Sequence, residues 1–311
     1  MILVTGGTGF LGKVLVRQLT EAGYPVRLLI RPSQQSPQLP KGVAVDVAVS
    51  SLADRRGLRS AMVGVDIIYH LAGAERSGPG RGLLEVDIRG TQAISQVAAE
   101  VGVKRILYVS HLGADRASAY PVFKAKAIAE EHLRRSGVDY TILRSAILYG
   151  QGDAFTSGLA YIMRNTPFIF LVPEDGRTLL QPLWVEDLAT CLLWSLDNES
   201  TRNQTYSVGG PEYIALNEIL RLVKETTGIR RKLVHIGPPY LRGFNVFLES
   251  FLPGLPFSVF WLDYLAANRT CALDTVPRIF NLMPARFHQQ LDYLRRQTWR
   301  IPLRQLIRRR K

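Results

Sequence analysis

Short apolar runs alternate with amphipathic stretches over the first half of this chain. The runs are rich in Val, Ile and Leu and predict buried strands; they read MILVTG, PVRLLI, VAVDVAV, DIIYHLAG, RILYVS and DYTILRS. The stretches between them carry apolar residues at helical spacing and end at glycines; they read LGKVLVRQLTEAG, GLRSAMVG, GTQAISQVAAEVG and VFKAKAIAEEHLRRSG. Strands that alternate with helices of this length predict right-handed βαβ units. We therefore expect an α/β fold with a doubly wound parallel sheet covered on both faces.

The pattern changes after about residue 150. Further helices are predicted for SGLAYIMR, WVEDLATCLLWSLDN and LNEILRLVKETTG, and short strands for RTLLQPLW and TYSVGG. Residues 237–270 are dense in proline, glycine and aromatic side chains. We predict that residues 1–150 form the parallel-sheet domain. Residues 151–311 then form a smaller mixed subdomain, interleaved with the first, that serves as a substrate lid or a partner-binding region.

Composition places the chain among ordinary globular proteins. Its 311 residues are 47% hydrophobic, which is too apolar for disorder and sufficient for a substantial core. We expect no secretory signal and no membrane span. The best candidate for a span, residues 244–265, is interrupted by Glu249, Pro253, Pro256 and Asp263. The two cysteines match no metal or redox spacing and the histidines do not cluster. We therefore expect a reduced cytoplasmic setting and no metal site.

The formal net charge is +13, and much of the excess lies at the C-terminus. Residues 299–311 interleave apolar side chains with arginines, which resembles a basic amphipathic segment kept short by Pro302. Such a segment would contact an anionic membrane surface or an acidic protein partner. We expect no nucleic acid partner, and a cytoplasmic protein with peripheral attachment to the inner face of the membrane. A solvated, frayed terminus is the alternative.

A glycine-rich turn follows the first predicted strand. In ILVTGGTGFLG, the glycines 6, 9 and 12 are evenly spaced, and the turn opens a predicted helix. Glycines let the backbone approach a pyrophosphate, and the N-terminus of the helix offers unpaired N–H groups to the anion. The turn therefore predicts a dinucleotide site, with a simple tight turn as the alternative. The predicted contacts are Thr5, Gly6, Gly7, Thr8, Gly9, Phe10, Leu11 and Gly12.

The end of the second strand predicts which dinucleotide is bound. An acidic residue at this place binds the ribose 2′-hydroxyl of NAD, but this chain has Arg31 and no nearby carboxylate. A guanidinium can bind a 2′-phosphate with two hydrogen bonds, and Ser33 is a candidate second contact. NADP(H) is therefore the predicted cofactor, with NAD(H) left open because Arg31 could be only a surface residue.

Several motifs resemble one known superfamily. They read TGGTGFLG, HLAG, RILYVSHLGA, TILRSAILYG and QPLWVEDLA. Together they resemble the extended and atypical short-chain dehydrogenase/reductases, including NmrA-like and epimerase-like proteins. The sequence is most similar to the branch that contains the nucleotide-binding accessory subunit of respiratory complex I and its bacterial relatives. The resemblance implies a Rossmann domain with a small C-terminal domain, and NADP(H) binding.

The resemblance also implies further contacts. Leu71, Ala72 and Gly73 match the segment after the fourth strand that lines the cofactor. Ser145 and Ile147 fall in the stretch after the sixth strand, where Ser145 replaces the usual proline. Ser51 stands where many relatives have an aspartate beside the adenine, and Asp187 matches an acidic residue that is normally structural.

Two lysines compete for the lysine of the superfamily's Tyr-x-x-x-Lys pair. Tyr120 and Lys124 have the required spacing, but Pro121 disfavours a helical Tyr120. Helical phase places Lys126 beside the apolar stripe and Lys124 away from it. We therefore predict that Lys126 faces the cofactor and that Tyr120 lies in a nearby loop.

Two functions remain open. One is an NADP(H)-dependent reductase of a small apolar substrate, in which Tyr120 or His111 donates the proton and Ser110 lies beside the cofactor. The other is a catalytically silent structural or sensor subunit of a membrane-associated, respiratory-type complex. Lys126 follows Val122 by four residues, and a valine transfers no proton.

Overall fold

The computed structural model describes residues 1–33, 39–40, 42–74, 82–166, 168–237 and 259–296. The predicted amphipathic segment at 299–311 and most of the aromatic and proline-rich region at 237–270 lie outside these residues. The chain divides into two compact units, which are described separately. The first comprises Met1–Ala146, Val185–Gly209 and Cys271–Pro284, and the second Ile147–Trp184, Gly210–Thr270 and Ala285–Lys311.

The first unit is built on a sheet of seven parallel strands. In chain order the strands are β1 Ile2–Thr5, β2 Val26–Ile30, β3 Asp46–Val49, β4 Ile67–His70, β5 Arg105–His111, β6 Asp139–Ser145 and, much later, β11 Gln204–Val208. Their order across the sheet is β11-β6-β5-β4-β1-β2-β3, and every neighbouring pair is parallel. The predicted α/β class with a doubly wound parallel sheet is confirmed.

Helices follow the strands and cover the sheet. They are α1 Phe10–Glu21, α2 Arg55–Ala61, α3 Thr91–Val101, α4 Pro121–Arg134, α6 Val185–Trp194 and α9 Thr275–Phe280. A π-helical segment, Leu83–Gly90, leads directly into α3. The helix α3 ends at Gly102, whose φ of 79° is the left-handed conformation that closes a helix at low cost.

Apolar packing fixes the helices to the sheet. On one face, side chains of α2, α3 and α4 form a buried cluster with the strands, which includes Leu58, Val97 and Leu133. On the other face, α1 packs against α6. The Tyr69 hydroxyl of β4 donates a hydrogen bond to the Leu192 carbonyl of α6 at 2.9 Å. The inner strands β1, β4 and β5 are thus largely buried, as their near-continuous apolar sequences require, whereas β3 lies at the edge of the sheet and is mostly exposed.

Among its described residues, the second unit contains three two-stranded sheets and short helices. Its strands are β7 Leu148–Tyr149, β8 Ile169–Pro173, β9 Leu179–Leu180, β10 Leu183–Trp184, β12 Ile214–Ala215 and β13 Lys232–Ile236, and its α-helices are α5 Thr156–Asn165, α7 Leu216–Thr227 and α8 Val259–Leu265. The sheets pair β7 with β10 and β8 with β13 in parallel, and β9 with β12 antiparallel. Among the residues that the structure describes, no helix is both long and apolar enough to cross a membrane.

Candidate functional site

The carboxyl ends of the parallel strands form one edge of the first unit. The strand β1 lies between β4 and β2, and the strand order reverses here because β2 and β3 extend one way and β4, β5 and β6 the other. Ligands of open α/β sheets bind in the crevice at such a reversal. The edge between β1 and β4 is therefore the place where the fold offers a site.

The glycine turn after β1 is packed too tightly for side chains. Gly6 has a φ of 71°, and a Cβ there would lie 2.7 Å from the carbonyl carbon of Leu71. A Cβ on Gly12 would lie 2.2 Å from the carbonyl oxygen of Gly6. Gly9 precedes α1 in an extended conformation and provides no side chain to cap it. The first N–H groups of α1 thus lack a side-chain cap and are available to an anion.

Lys126 lies buried against an aspartate. Its ammonium is 3.0 Å from Asp87 Oδ1, and the two side chains are 3% and 0% exposed. Asp87 Oδ2 accepts the N–H of Ala74 at 2.9 Å, so the carboxylate joins α4 to the segment after β4. The ammonium also lies 5.3 Å from the ring centroid of Tyr108. Lys124 is exposed and Lys126 is buried, in agreement with the helical phase, and the contact of Lys126 with a cofactor stays a prediction.

His70 connects β1, β4 and α3 beside this pair. Its Nδ1 lies 2.7 Å from the Thr5 hydroxyl and its Nε2 lies 2.9 Å from the Thr91 hydroxyl. The Thr5 hydroxyl also accepts the N–H of Ala72 at 3.2 Å. The side chain of Thr5, a predicted cofactor contact, is buried, and its hydrogen bond from the Ala72 N–H holds the backbone of Leu71–Gly73 in place. Burial and the nearby charge of Lys126 lower the pKa of His70 to about 3, so the ring is neutral.

Ser110 and Arg144 meet on a second buried carboxylate. Glu130 is fully buried and accepts hydrogen bonds from Ser110 Oγ at 2.7 Å and Arg144 Nη2 at 2.7 Å. Arg134 Nη2 donates to the same carboxylate at 2.8 Å. The hydrogen bonds of Glu130 raise the pKa of Arg144. The position of Ser110 beside the cofactor stays a prediction, and its hydroxyl belongs to this network.

The two candidate proton donors, Tyr120 and His111, both lie next to the ring of Phe123. Tyr120 precedes α4 in an extended conformation with φ −92° and ψ 120°, and Pro121 is the first helical residue, as predicted. The rings of Tyr120 and His111 lie 6.0 Å and 6.4 Å from that of Phe123. Both donors are partly exposed, whereas Val122, four residues before Lys126, is buried.

The remaining predicted contacts lie at strand ends. Arg31 and Ser33 are exposed after β2, and Ser51 follows β3 and accepts the N–H of Ala53 at 3.2 Å. Ser145 is buried at the end of β6, where its hydroxyl donates to the Ala146 carbonyl. Ile147 is buried and belongs to the second unit. Their contacts with a nucleotide stay predictions.

Comparison with known proteins identifies the family to which this chain belongs. A family model described as NAD(P)H-binding matches residues 6–168, the span from the glycine turn through α5. The chain belongs to this NAD(P)H-binding family. The resemblance to the atypical short-chain dehydrogenase/reductases and epimerase-like proteins is thereby confirmed, and with it the binding of NAD(P)H.

The proteins that are similar to this chain include both a respiratory-complex subunit and a reductase. It is 27% identical over 292 residues to mitochondrial NADH dehydrogenase (ubiquinone) 1 alpha subcomplex subunit 9 of Arabidopsis thaliana, covering 90% of this chain and 67% of the relative. It is 26% identical over 318 residues to a ceramide reductase of Caulobacter vibrioides, covering 96% of each. An epimerase from Methanothermobacter thermautotrophicus has the same fold, with a TM-score of 0.75 at 19% identity over 99% of this chain and 94% of that chain.

The residues at the edge fit the dinucleotide of this NAD(P)H-binding family. Any Cβ at Gly6 or Gly12 would overlap backbone atoms, so the turn retains the close approach that a pyrophosphate requires. The glycine turn and the N-terminus of α1 would hold the pyrophosphate. Lys126 is linked through Asp87 to Ala74, which follows the end of β4. In the described part of the chain, no three His, Cys, Asp or Glu side chains are grouped to hold a metal ion.

Asp87 and His70 are the site residues that the sequence did not predict. Asp87 lies in LLEVDIRG, where it is one charge among several in an amphipathic stretch. His70 ends a strand, where a histidine is usually solvated or structural. His70 belongs to the HLAG motif, but neither that motif nor the stretch around Asp87 indicates the partners that these side chains meet elsewhere in the chain.

We expect His70 to make the folded state sensitive to acid. Its pKa in the folded state, about 3, lies below the ordinary value of about 6.5. Unfolding therefore takes up a proton in acid, and the free energy of unfolding falls as the pH falls from about 6.5 towards 3, by up to about 1.4 kcal/mol per pH unit. Urea unfolding of wild type and His70→Gln between pH 7 and pH 4 measures this. The variant should show a shallower dependence, and equal slopes would contradict the assignment.

Proposed function

We propose that this chain is an NADP(H)-binding protein whose main function is to hold the nucleotide, as a structural or sensor subunit of a membrane-associated complex. The observation that carries the proposal is the environment of Lys126. The position that should bear the catalytic tyrosine is the buried Val122, and the lysine is paired with the buried Asp87.

The usual acid/base pair depends on a free positive charge. A lysine beside a tyrosine lowers the pKa of the phenol, which lets it exchange a proton with substrate near neutral pH. In this chain a carboxylate lies 3.0 Å from the ammonium and offsets its charge. Ser110, which was predicted to lie beside the cofactor, donates its hydroxyl hydrogen bond to Glu130. The ion pair of Lys126 with Asp87 and the hydrogen bond of Ser110 to Glu130 favour a lysine that binds a ribose hydroxyl over a lysine that activates a phenol.

The similarity to the Arabidopsis NADH dehydrogenase subunit supports the role as a subunit. An acidic protein or an anionic membrane remains the proposed partner of residues 299–311. The proposal also includes a preference for NADP(H), because Arg31 is exposed at the end of β2.

We expect Arg31→Ala to weaken NADPH binding more than NADH binding. A guanidinium that binds the 2′-phosphate forms charge-assisted hydrogen bonds, and such bonds contribute about 1.5–3 kcal/mol. The expected loss for NADPH is roughly tenfold or more, with NADH little changed. Titration of nucleotide fluorescence with wild type and variant measures both affinities. Equal affinity of the wild type for the two nucleotides would show that Arg31 is only a surface residue.

A reductase is the second candidate, and a specific observation favours it. Tyr120 and His111 are partly exposed and lie around the ring of Phe123, one helical turn before Lys126. The chain is also similar to a ceramide reductase over nearly its full length. When bound, NADPH supplies a hydride. The hydride would pass to the carbonyl carbon of a small apolar substrate, and Tyr120 or His111 would give a proton to the carbonyl oxygen.

Oxidation of NADPH separates the two functions. The wild type, Tyr120→Phe and His111→Gln are each incubated with NADPH and a panel of apolar ketones and aldehydes, and absorbance at the nicotinamide band is followed. We expect tight binding without substrate-dependent oxidation. Turnover that Tyr120→Phe abolishes while nucleotide affinity is unchanged would establish the reductase and contradict the proposal of a silent subunit.

A further inference from the structure

A basic surface with an exposed aromatic side chain lies in the second unit, and we name it the basic tip. It consists of Arg164, Phe168, Ile169, Arg230, Arg231 and Lys232. Phe168 is 85% exposed and Ile169 is 42% exposed. Neither belongs to the candidate nucleotide site.

The chain brings the basic tip together by pairing β8 with β13. Lys232 stands opposite Ile169 in the parallel register, and the Lys232 N–H donates to the Phe168 carbonyl at 3.2 Å. Arg231 Nε donates to the Thr166 carbonyl at 2.8 Å. The basic run that follows α7 is thereby fixed beside the turn that follows α5, although the two segments are more than sixty residues apart.

The positive charges of the basic tip are not offset by neighbouring carboxylates. Arg164, Arg230 and Lys232 are exposed, and among the described residues none of the four cations forms an ion pair. The carboxylates of the neighbouring helix α7, Glu218 and Glu225, are both paired with Arg221. The surface therefore presents four like charges to whatever approaches it.

The aromatic side chain is held outward by an unusual backbone. Phe168 has a φ of 54°, a left-handed conformation that bulky side chains rarely adopt. Such strain persists where surrounding structure imposes it, and it is found at binding and switching sites. A surface that served only solubility would gain nothing from a strained, exposed phenylalanine among cations.

We propose that the basic tip binds an anionic membrane surface, with the cations on the lipid headgroups and the ring of Phe168 at the level of the interface. Aromatic rings favour that level, and anionic lipids attract clustered Lys and Arg. A stable protein interface buries about 800 Å² of polar and apolar surface on each partner, whereas attachment to a lipid interface requires only clustered cations at the headgroups and an aromatic ring at the interfacial level. The combination of one exposed aromatic ring with clustered cations therefore suits a lipid interface better than a protein partner.

Vesicle co-sedimentation of the full chain tests this proposal. The vesicles contain phosphatidylcholine alone or with phosphatidylglycerol, and binding is measured at low and high salt. Arg230→Gln/Lys232→Gln should weaken binding to the anionic vesicles at least tenfold. Phe168→Asn should also weaken binding, and because asparagine tolerates a positive φ, it should not unfold the turn.

Matched controls alter similar residues elsewhere. Arg56→Gln/Arg116→Gln removes two exposed cations, and Val63→Ala trims an apolar side chain that is 68% exposed. Both controls should bind as the wild type does. The proposal would be overturned if the basic-tip variants bound the anionic vesicles as well as the wild type, or if the controls lost as much binding as these variants. Either result would assign any membrane attachment to residues 299–311. Absence of wild-type binding to every vesicle would also overturn it and leave an acidic protein as the occupant.

Discussion

Lys126→Met is expected to lower the free energy of unfolding by about 3–5 kcal/mol, because it leaves Asp87 charged and without its cation at 0% exposure. Methionine preserves most of the length and apolar character of the lysine stem, so the loss reports the missing charge rather than a cavity. Lys124→Met is the matched control, since Lys124 is an exposed lysine two residues away on the same helix. Its effect should stay within about 0.5 kcal/mol.

The double variant Lys126→Met/Asp87→Asn should recover most of this stability. No buried charge is left, and the asparagine oxygen can still accept the N–H of Ala74, which now bonds Asp87 Oδ2. Urea unfolding of wild type, both single variants and the double variant gives the coupling energy directly. If Lys126→Met costs no more than Lys124→Met, the ion pair does not contribute to the folded state as described.

Gly12→Ala is expected to abolish most nucleotide binding and to destabilise the fold by about 1–3 kcal/mol. Alanine is the better helix former by about 1 kcal/mol, so propensity alone predicts a more stable α1. The added Cβ would however lie 2.2 Å from the Gly6 carbonyl oxygen and 2.7 Å from Gly7 Cα. These are backbone atoms of the glycine turn, which must therefore shift away from the position that receives the pyrophosphate.

Gly102→Ala is the control for this second prediction. Gly102 has a φ of 79° but no atom within 4 Å of its would-be Cβ, so the substitution brings backbone strain without a steric contact. It should destabilise the protein while leaving NADPH affinity unchanged. Calorimetric titration of the folded variants with NADPH measures the effect, and wild-type affinity in Gly12→Ala would contradict the role of the glycine turn.

The parallel sheet could be predicted because its inner strands are largely buried. Strands such as β1 and β5 are almost uninterrupted apolar runs, and the helices between them carry a clear apolar stripe. The same stripe on α4 distinguished Lys126 from Lys124, since burial of a lysine follows from helical phase alone. The glycine turn was predictable for a similar reason, because its function depends on local backbone geometry.

The partners of buried polar side chains could not be predicted in this way. Asp87 and Lys126 are brought together by the packing of α4 on the π-helical segment. The hydroxyls of Thr5 and Ser110 turn to His70 and Glu130, which belong to other elements. An alternating or helical pattern gives the face on which a residue lies, but it does not give the group that it meets there.

The strand TYSVGG shows the same limit at the level of topology. Its local pattern correctly predicted a short strand. Its place as β11, parallel to β6 at one end of the sheet, depends on register pairing with residues that precede it by about sixty positions. Propensity does not encode the pairing partner of a strand, so the path of the chain back to the first unit could be learned only from the structure.

The affinity for NADPH of variants at Lys126 tests the central claim most directly. The ligands are NADPH and adenosine 2′,5′-bisphosphate, which lacks the nicotinamide ribose. The account predicts that Lys126→Met/Asp87→Asn binds NADPH roughly tenfold or more weakly than wild type, because a charged donor to the ribose is lost, while adenosine 2′,5′-bisphosphate binds equally well. Lys124→Met should match wild type with both ligands. A larger loss in Lys124→Met, or an equal loss for both ligands in the double variant, would contradict the assignment of Lys126 to the nicotinamide ribose.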